Sequence, residues 1–122
     1  MRKIVRLHEG LRALYPDAVV FGGIGRGAVA EELDRVRALL GMTAASGDRS
    51  ALSIAVGSGG LAVWAQSPVV TLHRSQLGAI GVDEGVMDVT AVVAGKAASF
   101  RVPLAAPAES ARIADRLLAA LA

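Results

Sequence analysis

The fold class of this chain is decided by the stretch ALSIAVGSGGLAVW, residues 51–64. Large aliphatic residues alternate with small ones on both sides of a glycine-rich centre, which is the pattern of two strands joined by a tight turn. The turn is Gly57-Ser58-Gly59-Gly60. The alternation places Trp64 on the face opposite Leu61 and Val63. The stretch therefore predicts a β-hairpin.

The sequence after this hairpin continues as short apolar runs separated by turn residues. Val69–Leu72 is one run, and 77–82 is the next. The run over 86–94 is rich in β-branched residues, and Gly95-Lys96 connects it to a returning strand over 97–104. Turns recur about every 8–12 residues, a spacing typical of sequential antiparallel strands rather than of parallel strands with helical crossovers.

Two amphipathic helices are predicted before the hairpin. Apolar residues recur at three- and four-residue spacing over 3–14 and again over 28–40. Gly41 stands where a helix C-terminal glycine belongs. A short buried strand over 18–21 lies between the two helices.

A further helix is predicted at the end of the sequence. Pro107 marks its start, because proline is favoured in the first turn of a helix. Ile113, Leu117 and Leu121 form one apolar stripe over 108–121. We expect this stripe to pack the helix onto the strands.

Residues 51–122 resemble a bacterial pleckstrin-homology-like domain. The resemblance is carried by the strand Gly60-Leu61-Ala62-Val63-Trp64, by Val69–Leu72 leading into 73–80, by the two strands joined at Gly95-Lys96, and by the final amphipathic helix. It implies a curved antiparallel sheet of the pleckstrin-homology-like barrel or sandwich type, which is capped by the C-terminal helix and serves as an interaction platform. The helix at 28–40 departs from the simplest form of that fold. The basic loop with which some members grip inositol phosphates is not evident, so lipid binding is not carried over.

Length and composition limit the domain organisation and the chemistry that are possible for this chain. A chain of 122 residues is the size of a single domain, and 53% hydrophobic residues are enough for a core. We therefore predict one α+β domain over 1–122, with one or two additional N-terminal helices. Cysteine is absent, which excludes disulfides, thiolate metal sites and cysteine nucleophiles. No zinc-site or EF-hand spacing is found, so no metal and no cofactor are predicted.

The charge and hydropathy patterns limit the kinds of partner and the cellular location expected for this chain. The net charge is only +2, and the arginines are interspersed with acidic residues, so no nucleic acid is expected as a partner. No run approaches the roughly 18 apolar residues of a membrane span, and no secretory signal pattern is present, so a cytoplasmic location is expected. The basic side of the helix over 3–14 is interpreted as a solvated face, with a membrane surface as the alternative.

The motif Gly23-Ile24-Gly25-Arg26-Gly27-Ala28 lies between a predicted strand and a predicted helix. In dinucleotide-binding proteins such glycines let the backbone approach a pyrophosphate at a helix N-terminus. That chemistry also uses an acid about 20 residues further on, and the next strand ends at Val56-Gly57-Ser58 without one. We interpret the loop as a connector. As an alternative, Gly23, Gly25, Arg26 and Gly27 form a simple anion-binding site.

Other chemistry-bearing residues give weaker patterns. A grouping of Ser75, His73 and Asp83 resembles a catalytic triad, but no nucleophile-elbow sequence accompanies it, so no catalytic residue is predicted. Trp64 is interpreted as covered by the helix over 28–40 or by the one over 3–14, with a partner surface as the alternative.

The expected function is that of a non-catalytic interaction module which self-associates or belongs to a multi-protein assembly as a structural subunit. A mean hydropathy of +0.50 is high for a small domain, and part of its apolar surface is expected to meet another subunit. The alternative is a small phosphate- or nucleotide-binding protein, an enzyme among them, that uses residues 22–28.

Overall fold

The protein is described by a computed structural model covering residues 17–43 and 47–121. This part of the chain forms an α+β fold with seven strands and two α-helices. The helix predicted over 3–14 lies outside the described residues. The elements are β1 (Val19–Ile24), α1 (Ala28–Leu39), β2 (Ala51–Gly57), β3 (Gly60–Trp64), β4 (Pro68–His73), β5 (Leu77–Asp83), β6 (Val86–Val93), β7 (Lys96–Pro103) and α2 (Ser110–Leu121).

The strands form two antiparallel sheets. One has the order β1-β2-β3-β4 and the other β5-β6-β7, so consecutive strands are neighbours in each sheet. The prediction of sequential antiparallel pairing is confirmed within each sheet, but the consecutive strands β4 and β5 do not pair. The hairpin over 51–64 has the expected register, in which Ile54 pairs with Val63 and Gly57 with Gly60.

The expected barrel is not closed. The chain leaves the first sheet at His73, whose Nδ1 accepts the N–H of Ser75 while the side chain of Gln76 accepts the N–H of His73. These bonds fix a 3₁₀ turn, Arg74–Gln76, so that β5 begins a second sheet instead of pairing with β4. Among the described residues, the bridge between Gly23 and Leu104 is the ladder contact that joins the two sheets.

The main core lies between the two sheets. Alternate residues of β2 point into it, and Ile54 in its centre is fully buried together with Val63 and Phe100. The other face of β2 carries small residues, of which Ala55 is also fully buried. Because the large side chains occupy one face of the strand, the alternation seen in the sequence corresponds to the inward and outward faces of the sheet.

Helix α2 packs against this core through Ile113 and Leu117, which are both 4% exposed. Its third stripe residue, Leu121, is half-buried and contacts the edge of the same cluster. A 3₁₀ turn over Pro107–Glu109 precedes the helix, so the α-helix begins at Ser110. The predicted docking of the C-terminal helix through this stripe is thus found in the structure.

Helix α1 lies across the edges of both sheets. It buries Leu33 and Val36 completely and places Arg37 beside the start of β4. Arg37 is 7% exposed, and its guanidinium group donates to three backbone carbonyl groups, those of Thr43, Pro68 and Val69. At the other sheet, the carboxylate of Glu32 accepts the N–H of Arg101 in β7 at 3.3 Å. Side chains of one helix therefore bond the edge strands β4 and β7.

Candidate functional site

Gly23 near the end of β1 and Gly25 in the loop between β1 and α1 lie in close contact with the rest of the chain. A Cβ atom on Gly23 would lie 2.6 Å from Cγ1 of Val102, and one on Gly25 would lie 2.1 Å from the carbonyl oxygen of Arg49. The N–H of Gly25 donates to the carbonyl of Ser50 at 3.0 Å. Packing therefore requires glycine at both positions, independently of any ligand.

The remaining residues of the loop are exposed. Gly27 has a φ of +65° and open space around it, and its carbonyl accepts the N–H of Ala30 at 3.1 Å. Arg26 lies near the carboxylate of Asp48, whose pKa is lowered first by the hydroxyl of Ser50, then by the N–H of Ser50, and also by the charge of Arg26. An anion approaching Arg26 would thus meet a carboxylate beside it.

We expect no Arg26-dependent stabilisation by phosphate, ATP or NAD. A ligand that binds only the folded state raises the melting temperature by mass action. An anion is not expected to bind here, because the Gly25 amide already donates to Ser50 and the carboxylate of Asp48 lies near Arg26. The measurement is a thermal melt at millimolar ligand for the wild type, Arg26→Ala and, as a control from the exposed side of α1, Arg35→Ala. A shift of several degrees lost only in Arg26→Ala would restore the anion-site alternative.

The structure brings two residues of the possible triad together, but not the third. His73 Nδ1 lies 3.0 Å from the hydroxyl of Ser75, and both side chains are exposed as parts of the cap of the 3₁₀ turn. Asp83 is at the far end of β5, a strand of seven residues that spans about 20 Å. Within the described ranges, no group of three or more His, Asp or Glu side chains could hold a metal ion.

Trp64 lies on the outer face of the four-stranded sheet. It is half-buried and packs with Ala55 and Ala62, together with Val20. Helix α1, one of the two covers expected from the sequence, instead contributes to the main core on the other side of the sheet. The other expected cover, the segment over 3–14, lies outside the described residues.

An apolar groove runs between β5 and α2. The two elements are antiparallel, because Ser110 at the start of the helix accepts the N–H of Gly85 just beyond β5, while Arg74 just before β5 donates to the carbonyl of Leu121. The groove has a volume of about 460 Å³. Its lining consists of Ile80, Gly81, Val82, Ala114, Leu117, Leu118 and Leu121.

Leu118 is the most exposed large hydrophobic side chain of the described residues, at 73%. It lies on the groove side of α2, next to the stripe that docks the helix. The sequence contained a signal for this position, since Ala114 and Leu118 widen the apolar stripe of the helix beyond what docking onto one sheet requires. The sequence prediction nevertheless did not identify this groove as a candidate site.

Comparisons with known proteins identify no family. Neither the protein-family models nor the curated proteins contain a match to this chain. Among the described residues, no helix is long and apolar enough to cross a membrane.

Proposed function

We propose that this chain is a non-catalytic assembly module of pleckstrin-homology-like architecture, which self-associates through the groove between β5 and α2. The observation that carries the proposal is the exposure of Leu118 on the rim of an apolar groove. An apolar groove with a large exposed aliphatic side chain is typical of a surface that meets another protein.

The architecture agrees with the resemblance noted for residues 51–122. Strands β2 to β4 and strands β5 to β7 pair antiparallel within two separate sheets, and the last helix packs beside them, which supports an interaction platform of this kind. Helix α1 is an addition to the simplest form of that fold. It bonds the edges of β4 and β7 through Arg37 and Glu32 and leaves the groove side of the molecule uncovered.

A second copy of the chain is the occupant that fits this surface. Burying a leucine side chain contributes about 1.5–3 kcal/mol, and a two-fold contact buries the same residue twice. The residues that line the groove in the described part of the chain include no charged side chain, so docking against them desolvates no charge. The high apolar content of the chain, 53%, points in the same direction.

We predict that Leu118→Asp weakens self-association by at least about tenfold, because a carboxylate in the contact would be desolvated without a partner. Sedimentation equilibrium at micromolar concentration measures the effect. Stability should change by no more than roughly 0.5 kcal/mol, since the site is exposed in the monomer. Leu117→Ala, in contrast, should cost about 2–5 kcal/mol of folding free energy as a core truncation.

Ala119→Asp is the matched control, because Ala119 is exposed on the same helix and does not line the groove. It should leave the dissociation constant unchanged. Two results would count against the proposal: a wild-type chain that sediments as a monomer throughout the concentration range, or a dimer that Leu118→Asp leaves intact.

A further inference from the structure

Three of the four sheet edges have hydrogen-bond partners outside the ladder. On β1, the carbonyl of Gly22 accepts the N–H of Ala105. On β4, the carbonyls of Pro68 and Val69 accept from the guanidinium group of Arg37. On β7, the N–H of Arg101 donates to a carboxylate of α1. The fold thus covers the edges at which another strand could otherwise pair.

The edge of β5 has no such hydrogen-bond partner among the described residues, although α2 runs beside the strand across the groove. Across the described residues, 78–83 form no hydrogen bond other than those of the ladder with β6. The strand LGAIGVD contains no proline and no lysine, the residues with which exposed edges are commonly protected. The pairing of β5 with β6 is irregular at its start, where the register shifts between Leu77 and Ala79, and is regular from Ala79 to Asp83. This segment therefore offers alternate free N–H and C=O groups to another strand.

The two ends of β5 carry opposite charges. Arg74 precedes the strand, and Asp83 and Glu84 close it, about 20 Å away along the seven-residue strand. In a parallel pair of two such strands, like charges would lie side by side. In an antiparallel pair, the basic end of each strand lies beside the acidic end of the other, which is favourable at both ends.

From this edge we infer that two copies of the chain join by antiparallel pairing of β5 with β5, so that the three-stranded sheets become one six-stranded sheet across a two-fold axis. The inference rests on the self-association proposed above and names its mode. Strand addition to an exposed edge is a common way for proteins to bind each other, with main-chain bonds supplying affinity. The small exposed residues Gly78, Ala79 and Gly81 allow close approach, and each Leu118 lies on the same side of the junction.

The first test uses charge reversal in two separate chains. Glu84→Lys alone places two cations together at each end of the antiparallel pair, and Arg74→Glu alone places carboxylates together. Each variant should dimerise about tenfold more weakly than the wild type at low salt. An equimolar mixture of the two should form heterodimers with wild-type affinity, because both ends are then again oppositely charged. A mixture that associates no better than either variant overturns the inference.

The second test is hydrogen exchange of the wild-type chain at rising concentration. The outward-facing amides of 78–83, which are not bonded to β6, should become protected as the dimer forms, while those of β7, which lies at the other edge of the sheet, should not change. If Leu118→Asp dissolves a dimer whose β5 amides stay unprotected, the groove contact stands and strand pairing is wrong. A wild-type chain that remains monomeric would contradict both the groove contact and the strand pairing. A strand from a different protein would then be the partner to test at the edge of β5.

Discussion

Replacing Arg37 by methionine is expected to destabilise the fold by about 3–5 kcal/mol, the largest effect of any single substitution considered for this chain. The guanidinium group donates to Thr43 at 3.0 and 2.7 Å, to Pro68 at 3.3 Å and to Val69. Methionine keeps much of the volume but has no donor, so the buried carbonyl of Val69 and the partly buried carbonyls of Thr43 and Pro68 lose their partner. Urea denaturation followed by circular dichroism measures the loss.

Two comparisons make this result specific. Arg35→Met removes an equal charge from the exposed side of the same helix and should change stability by no more than roughly 0.5 kcal/mol. Arg37→Lys keeps the charge, but a single ammonium cannot reproduce the planar set of donors. The stability of this variant should therefore lie between those of Arg37→Met and Arg35→Met. Equal stability of Arg37→Met and Arg35→Met would mean that the bonds from α1 to β4 contribute little.

Gly25→Ala is expected to cost about 3–4 kcal/mol, combining the strain of an overpacked site with a lost hydrogen bond. The new methyl group would lie 2.1 Å from the carbonyl oxygen of Arg49. That segment cannot easily retreat, because the Arg49 side chain bonds Asp34 in two places, at 2.9 and 3.2 Å. Any retreat would also break the bond between Gly25 and Ser50.

Gly27→Ala provides the matched comparison in the same loop. Its surroundings are open, so only the backbone conformation, with a φ of +65° and a ψ of −130°, opposes the methyl group, at a cost of about 1–3 kcal/mol. Denaturant unfolding of both variants gives the difference. If the loop served mainly to let backbone approach a ligand, neither alanine would be strongly destabilising in the absence of that ligand. Similar small losses for the two would therefore contradict the packing role assigned to Gly25.

Within the described residues, periodicity in the sequence was sufficient for most of the helices and strands and for the strand pairing inside each sheet. The alternation around Gly57-Ser58-Gly59-Gly60 predicted the β2–β3 hairpin because inward and outward positions alternate in any strand. The stripes over 28–40 and 108–121 predicted helices that the structure places at Ala28–Leu39 and Ser110–Leu121. These patterns are local, since each is set by residues within one turn or one strand of each other.

The candidate site depended on contacts between distant residues. Glycine is needed at position 25 because the carbonyl oxygen of Arg49 lies against it. Arg37 can be buried because carbonyl groups about 30 residues away in the chain accept its hydrogen bonds. Neither pairing leaves a periodic signal. A motif resembling a phosphate loop was therefore open to two interpretations in the sequence, whereas the close approach of two backbone segments is visible only in three dimensions.

By itself the sequence determined an α+β chain of sequential antiparallel strands closed by an amphipathic helix, because hydrophobic periodicity and turn residues act over short distances. The tertiary structure alone decided that the strands divide into two sheets at His73 and that α1 bonds the edges of β4 and β7. It also decided that, among the described residues, the edge of β5 has no hydrogen-bond partner outside its ladder and lies next to the groove that Leu118 lines. Edge exposure is a property of the packed arrangement. It depends on which element covers each strand, and no single segment of the sequence contains that information.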